Sequence, residues 1–175
     1  MDAAKRKRLN WYLKKNAVIL LAIFLLLVLT FFVAMNSANV YIVVTEGMEA
    51  RAAVVLNDGD TGELSYYFTD RFLEEDTLLK SGKYSDYMVS RYTYLTTPRL
   101  ALCWPLQAAV TMSVAEWVGN VDGELSQAKQ DEVDSSAALE PPAWNNGEYA
   151  VSLVKQDGKW KIDNITLVRL VADPS

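Results

Sequence analysis

The stretch Tyr149–Val168, YAVSLVKQDGKWKIDNITLV, carries the clearest structural pattern in the chain. Apolar residues alternate with smaller or polar ones on both sides of Asp157-Gly158, a dipeptide that favours tight hairpin turns. The alternating apolar residues are Tyr149, Val151, Leu153, Trp160 and Ile162. The stretch therefore predicts a β-hairpin, with strands over residues 148–155 and 159–170.

Two further β-rich stretches precede the hairpin. Residues 87–97 are rich in Tyr, Thr and Val, which suit a pleated surface, and residues 107–121 alternate apolar with small polar side chains. Residues 100–104 are predicted to resume the first strand after Thr97-Pro98. Residues 123–142 are polar and acidic and end in Pro141-Pro142, which predicts a flexible loop.

Residues 44–80 have helical patterning. An apolar stripe at Met48, Ala52, Val55 and Leu56 predicts a helix that ends in the turn at residues 57–60. Asp60 or Thr61, and then Thr69 or Asp70, are candidate caps of two short helices. Their predicted buried side chains are Leu64, Tyr67, Phe68, Phe72 and Leu73.

A long apolar run lies near the amino terminus. Ala17–Met35 has 19 residues and no charge, enough for a helix of roughly 28 Å, close to the thickness of a bilayer core. The basic tail before it predicts residues 1–16 in the cytoplasm and the later residues outside. A cleaved signal peptide is the competing interpretation. The run exceeds the usual length of such a peptide, and Asn36-Ser37-Ala38 is a poor cleavage site, so an uncleaved anchor is favoured.

Charge and composition limit the function. Residues 1–16 hold six basic and one acidic side chain, whereas the other residues hold 11 basic and 21 acidic ones. The second part therefore has no basic surface of the kind that binds nucleic acid. The chain has no histidine, and its single cysteine, Cys103, cannot form an intrachain disulfide. No pattern predicts a catalytic group, a metal or a cofactor.

The predicted fold class is α+β, with helices first and then a meander of antiparallel strands. The predicted segments are a basic cytoplasmic tail (1–16), a transmembrane helix (17–35), a juxtamembrane linker (36–43) and an extracytoplasmic domain (44–172) with the acidic loop (123–142) inside it. This order, closing on Tyr149–Val168 with its polar-Gly-Lys-Trp turn, resembles the nuclear transport factor 2-like superfamily. The resemblance implies a cone of helices packed on a curved antiparallel sheet.

With an amino-terminal anchor, the layout is also similar to extracytoplasmic scaffold subunits of bacterial conjugation and type IV secretion channels, and of sporulation assemblies. It implies a non-enzymatic structural or interaction component in the plasma (inner) membrane. Such a component would contact lipid through Ala17–Met35 and associate with protein partners or with itself. The edge strand at residues 87–95 is a candidate pairing surface.

Two other functions stay open. A cone would have a concave face, and the residues expected to line a pocket there are Tyr92, Tyr94, Trp104, Met112 and Trp117. Such a pocket predicts a tethered binder of a small apolar ligand, although aromatic residues at strand spacing are more often core. An isomerase-like or hydrolase enzyme would need an inward carboxylate, for which Asp86 and Glu116 are the candidates. Cys103 is interpreted as a small buried hydrophobe.

Overall fold

The computed structural model describes residues 3–57, 60–126 and 141–171. A long helix, α1, is followed by a short 3-10 helix, two short α-helices and four strands. Their bounds are α1 Ala3–Asn57, the 3-10 helix Thr61–Tyr66, α2 Asp70–Glu75, α3 Thr77–Lys80, β1 Tyr87–Pro98, β2 Ala109–Leu125, β3 Gly147–Gln156 and β4 Lys159–Leu170. The strands form one antiparallel sheet in the order β1-β2-β3-β4, so the α+β class is confirmed.

Helix α1 is continuous over 55 residues, about 80 Å at the usual rise. Its first half is long and apolar enough to cross a membrane, and its apolar side chains are exposed. The structure differs from the predicted linker, because residues 36–43 are helical. The Asn36 side-chain amide there donates to the Phe32 carbonyl of the preceding turn at 3.1 Å. Packing against the sheet begins within the same segment, at Val40.

The second half of α1 covers the face of the sheet that we call the inner face. Its buried hydrophobic residues recur every four positions and are each at most 2% exposed: Val40, Val44, Met48, Ala52 and Leu56. The predicted stripe is thus confirmed at Met48, Ala52 and Leu56, and Val55 is half-buried beside it. The stripe also begins two turns earlier than predicted, so one helix is both the apolar segment and a wall of the core.

The predicted hairpin is confirmed as β3 and β4. Gln156 pairs with Lys159, and Asp157 and Gly158 both have positive φ, 51° and 79°, as a type I′ turn requires. All five alternating apolar residues of the pattern are buried. Residues 67–69 then add a short parallel contact to the open edge of β4, where the Ile162 amide donates to the Tyr67 carbonyl at 2.7 Å.

The first two strands depart from expectation at their ends. β2 continues to Leu125, so residues 123–125 belong to the sheet rather than to the predicted acidic loop. Residues 127–140 of that loop lie outside the described residues. The prediction that residues 100–104 resume β1 is wrong, because β1 ends at Pro98 and residues 99–108 form a loop. In this loop the Cys103 amide donates to Ser37 of α1 at 3.0 Å instead of joining a ladder.

The short helices use their predicted caps. Asp60 accepts a hydrogen bond from the Gly62 amide, and Thr69 accepts one from the Phe72 amide. Leu64, Phe68 and Phe72 are buried. The short helices pack against α1 and β4, and Asp76, which lies between α2 and α3, is buried.

Gly47 lies where α1 packs closely against Tyr67 and Ile162. A Cβ atom there would lie 2.9 Å from Tyr67 Cβ and 2.9 Å from Ile162 Cδ1. Gly47→Ala gains helix propensity but crowds the core, and we expect a net loss of about 1 kcal/mol in the free energy of unfolding. Urea titration of the full chain in detergent micelles measures it. Glu49→Ala, at an exposed position on the same helix, should show no loss; equal losses for both variants would contradict the close packing.

Candidate functional site

A cluster of charged side chains lies buried where α1, the short helices and β2 meet. Its members are Arg51, Asp76 and Glu116, with relative exposures of 7%, 8% and 3%. Arg51 belongs to the buried face of α1, and Asp76 is the residue between α2 and α3. Glu116 shares the inner face of β2 with the core residues Met112 and Val114. We call these three residues the buried charge cluster.

Arg51 and Asp76 form a bidentate ion pair. Arg51 Nε lies 2.6 Å from Asp76 Oδ2, and the terminal nitrogen Nη2 lies 3.0 Å from Oδ1. Asp76 Oδ1 also accepts the Leu78 amide at 2.9 Å, which caps α3. Burial acts to lower the pKa of Arg51, but hydrogen bonding to Asp76 and the charges of Asp76 and Glu116 raise it overall. The guanidinium therefore stays charged and ties α1 to the start of α3.

Both carboxylate oxygens of Glu116 accept hydrogen bonds. Oε1 accepts the Tyr94 hydroxyl and Oε2 accepts the indole N–H of Trp144, each at 3.2 Å. Burial raises the pKa of Glu116, and the nearby charge of Arg51 together with these two hydrogen bonds only partly offsets that rise. The carboxyl is held as an acceptor between two strands and the segment before β3, an arrangement that fixes their relative positions.

A cavity of about 520 Å³ opens beside the buried charge cluster. Arg51 lies at its wall, and Leu78, Trp144, Tyr149 and Leu167 are among its other lining residues. The Tyr149 hydroxyl donates to the Asn145 carbonyl, and burial raises the pKa of Tyr149 to about 12. In the part of the chain that the structure describes, no group of His, Cys, Asp or Glu side chains could hold a metal ion.

The predicted pocket residues separate into two groups. Met112 is 1% exposed in the core, and Tyr92 and Tyr94 are half-buried on β1. Trp104 is 57% exposed in the loop after β1, and Trp117 lies on β2 between the inward residues Glu116 and Val118. The inner face that would line the expected pocket is covered by α1.

The two candidate carboxylates differ in burial, and the Cys103 thiol is buried. Glu116 is inward, as expected of a candidate carboxylate, whereas Asp86 is exposed. Burial raises the pKa of the Cys103 thiol, although its contact with Ser37 acts in the other direction. A raised pKa disfavours the reactive thiolate, which agrees with the interpretation of Cys103 as a small buried residue.

Sequence reasoning missed Arg51, Asp76 and Trp144. Arg51 had a visible signal, since it stands three residues after Met48 and directly before Ala52, inside the apolar stripe. A charge at that register of a helix face predicts a buried partner. Asp76 and Trp144 had none, because only the tertiary fold brings them to Arg51 and Glu116.

Comparison with protein-family models, curated proteins and solved structures finds no significant match to this chain.

The raised pKa of Glu116 predicts a pH dependence of stability. The folded chain holds this proton more tightly than the unfolded chain, so stability falls as pH rises from near 4.5, the ordinary pKa, through the raised value. Glu116→Gln can keep both hydrogen bonds and should lack this fall. Urea titrations between about pH 4 and about pH 8 compare the two profiles.

Glu148 provides an opposite control. Its hydrogen bond from Arg169 lowers its pKa, so it contributes stability above the ordinary pKa that is lost as pH falls. Glu148→Gln should remove a rise with pH, whereas Glu116→Gln removes a fall. Parallel shifts of the two profiles would contradict the assignment.

Proposed function

We propose that this chain is a single-pass membrane protein whose outer domain is a structural or interaction component of an envelope assembly. Ala17–Met35 spans the plasma (inner) membrane, residues 1–16 lie in the cytoplasm, and the sheet domain lies outside. The outer domain makes contacts with protein partners or with further copies of the chain. Its fold is of the nuclear transport factor 2-like kind, which the helix-then-meander order and the cover of α1 on one sheet face support.

The membrane placement is supported by what surrounds the apolar half of α1. Large apolar side chains are exposed on every side of the helix, including Leu20, Leu21, Leu25 and Leu26 at 57–66% exposure. A helix that is apolar all round needs an apolar surrounding, and lipid supplies it. The basic residues are concentrated before the run, which favours a cytoplasmic amino terminus.

The observation that carries the interaction role is the exposed apolar end of β4. Among the described residues β4 is an edge strand, and residues 67–69 cover its open edge only near Ile162. From Asn164 onward, β3 is its one strand neighbour in the described chain. Four apolar residues there are 41–66% exposed: Leu167, Val168, Leu170 and Val171.

An edge with free backbone groups and apolar side chains is a template for adding a strand from another chain. Soluble domains normally protect such edges with charge, and here the only charged side chain among residues 164–171 is Arg169, which pairs with Glu148 on the neighbouring strand. Membrane tethering raises the effective concentration of such a surface, so weak contacts suffice. β1, the other edge, exposes Met88 and Leu95 and offers a second such surface.

Crosslinking in intact membranes tests the proposal. In a Cys103→Ala background, Val168→Cys places a thiol on the exposed edge and Glu75→Cys places one on the exposed side of α2. We expect a reagent with one thiol-reactive and one photoreactive end to give a defined crosslinked species, a dimer or a single partner, at position 168 and not at position 75. Monomer alone at both positions would contradict the interaction role.

The cavity beside Arg51 supports the alternative of a small-ligand binder, since apolar Leu78, Trp144 and Leu167 line it. Against it, Asp76 already neutralises Arg51, and α1 fills the inner face. Leu167→Trp would narrow the cavity. Loss of a co-purified small molecule in this variant, with an unchanged crosslink from position 168, would favour the binder.

Enzyme chemistry at Glu116 has less support because both carboxylate oxygens are already hydrogen-bonded.

A further inference from the structure

The loop between β1 and β2, residues 99–108, has an unusual exposed surface. Its sequence is RLALCWPLQA, which contains no acidic residue in a chain that is otherwise acidic after residue 16. Four large apolar side chains at every second position point outward, Leu100, Leu102, Trp104 and Leu106, at 73%, 67%, 57% and 98% exposure. Side chains of this size are not normally left in water as a contiguous set.

A hydrogen bond to Ser37 fixes the position of this loop along the axis of α1. The Cys103 amide donates to Ser37 Oγ at 3.0 Å, and Cys103 itself is fully buried. Leu100 and Leu102 also line an apolar groove of about 550 Å³ against one side of α1, which reaches from Thr30 to Ile42. The groove therefore runs from the loop directly onto the apolar run that ends at Met35.

Ser37 lies only two residues beyond Met35, about 3 Å along the helix axis. The headgroup layer on each side of a bilayer core is about 5–7 Å thick, so the loop backbone falls within this layer. Leucine side chains that extend from it reach hydrocarbon, and Trp104 sits at the depth that tryptophan prefers.

The β3–β4 turn at this end of the domain, residues 155–159, has a net charge of +1, with two lysines against Asp157. Lys155, Lys159 and the Gly158 turn line a small cavity beside Asn36 and Asn39 of α1. Ammonium groups at this height face lipid phosphates, which complement them. Apolar side chains on one side of the helix and lysines on the other are the two features expected of a membrane-facing surface.

We propose that residues 99–108 insert into the outer leaflet of the same bilayer that α1 crosses, so that the domain is seated on the membrane by a second contact. The inference rests on the proposed membrane span. The occupant of the groove beside Leu100 and Leu102 is lipid acyl chain. Insertion fixes the tilt and rotation of the sheet, and so points the exposed edge of β4, at the other end of the domain, away from the lipid surface.

Fluorescence quenching in vesicles tests this inference. Full-length chain with Cys103→Ala is labelled with an environment-sensitive dye at one of three introduced cysteines, Leu106→Cys, Leu26→Cys or Val168→Cys. Each is reconstituted in phosphatidylcholine–phosphatidylglycerol vesicles with and without lipids brominated on the acyl chain. Circular dichroism of each labelled protein checks that it is folded.

We expect brominated lipid to quench most of the signal at positions 26 and 106 and to leave position 168 unaffected. Quenching at 26 without quenching at 106 would overturn the loop insertion and leave the membrane span intact. A label at 106 that is shielded from water yet unquenched by lipid would also overturn it, since protein would then cover the loop. Absence of quenching at 26 would overturn the span itself, and the loop insertion with it.

Discussion

Replacing Arg51 with methionine is expected to lower the free energy of unfolding by about 3–5 kcal/mol, because a buried acidic partner is left without its counter-charge. Arg51 Nε lies 2.6 Å from Asp76, and both side chains are less than a tenth exposed. Methionine keeps much of the apolar volume against Phe72, whose ring centroid lies 5.8 Å from the guanidinium carbon, so the loss measures charge rather than packing. Urea titration of the full chain in micelles, followed by tryptophan fluorescence, measures it.

Two further variants test whether the lost charge is the cause. Arg51→Met with Asp76→Asn removes both charges and leaves an amide oxygen that can still cap α3, so most of the lost stability should return. Arg71→Met removes the exposed partner of Asp163 and should leave the transition close to that of the unsubstituted chain. If the double variant were as unstable as Arg51→Met alone, an uncompensated charge could not be the cause.

Replacing Phe68 with alanine is the second change with a large expected effect, a loss of about 3–5 kcal/mol. Phe68 is fully buried and stacks on Phe72 with ring centroids 4.8 Å apart. Its own segment covers the start of β4, through the bond from the Ile162 amide to the Tyr67 carbonyl. The substitution therefore opens a cavity where the short helices, α1 and β4 meet.

Tyr66→Ala is the matched control for Phe68→Ala. Tyr66 lies two residues away on the same segment and is 72% exposed, so its removal should change stability by no more than about 0.5 kcal/mol. Equal effects at positions 66 and 68 would contradict the placement of this segment against the sheet.

The parts of the fold that were predictable depend on contacts between residues that are close in sequence. The β3–β4 hairpin has a turn dipeptide and alternating apolar residues within 20 positions, so neighbours in sequence are neighbours in the sheet. The Thr69 cap likewise depends on a contact three residues away. The missed features depend on distant contacts, as when Ser37 and Cys103 meet across 66 positions and so shape the loop after β1.

The continuity of α1 also depends on contacts between residues that are distant in sequence. Residues 36–43, predicted as a linker, contain Asn36, Ser37 and Asn39, short polar residues that weaken a helix in isolation. Val40 and Val44, buried in the sheet domain, supply the tertiary packing that such residues cannot. Within the buried charge cluster, only Glu116 was predicted to point inward. Arg51 had a readable signal in the apolar stripe, whereas Asp76 had none.

Hydrogen exchange over residues 36–43 of the full chain in lipid bilayers is the most direct test of the central claim, that one unbroken helix both anchors the chain and forms the core of its domain. Mass spectrometry can follow peptides from this segment beside those covering residues 44–56. The account predicts that amides in both segments exchange slowly and to a similar degree, since one helix contains them. Exchange of residues 36–43 at the rate of an unstructured peptide would contradict it, and would mean that the domain moves on a flexible tether.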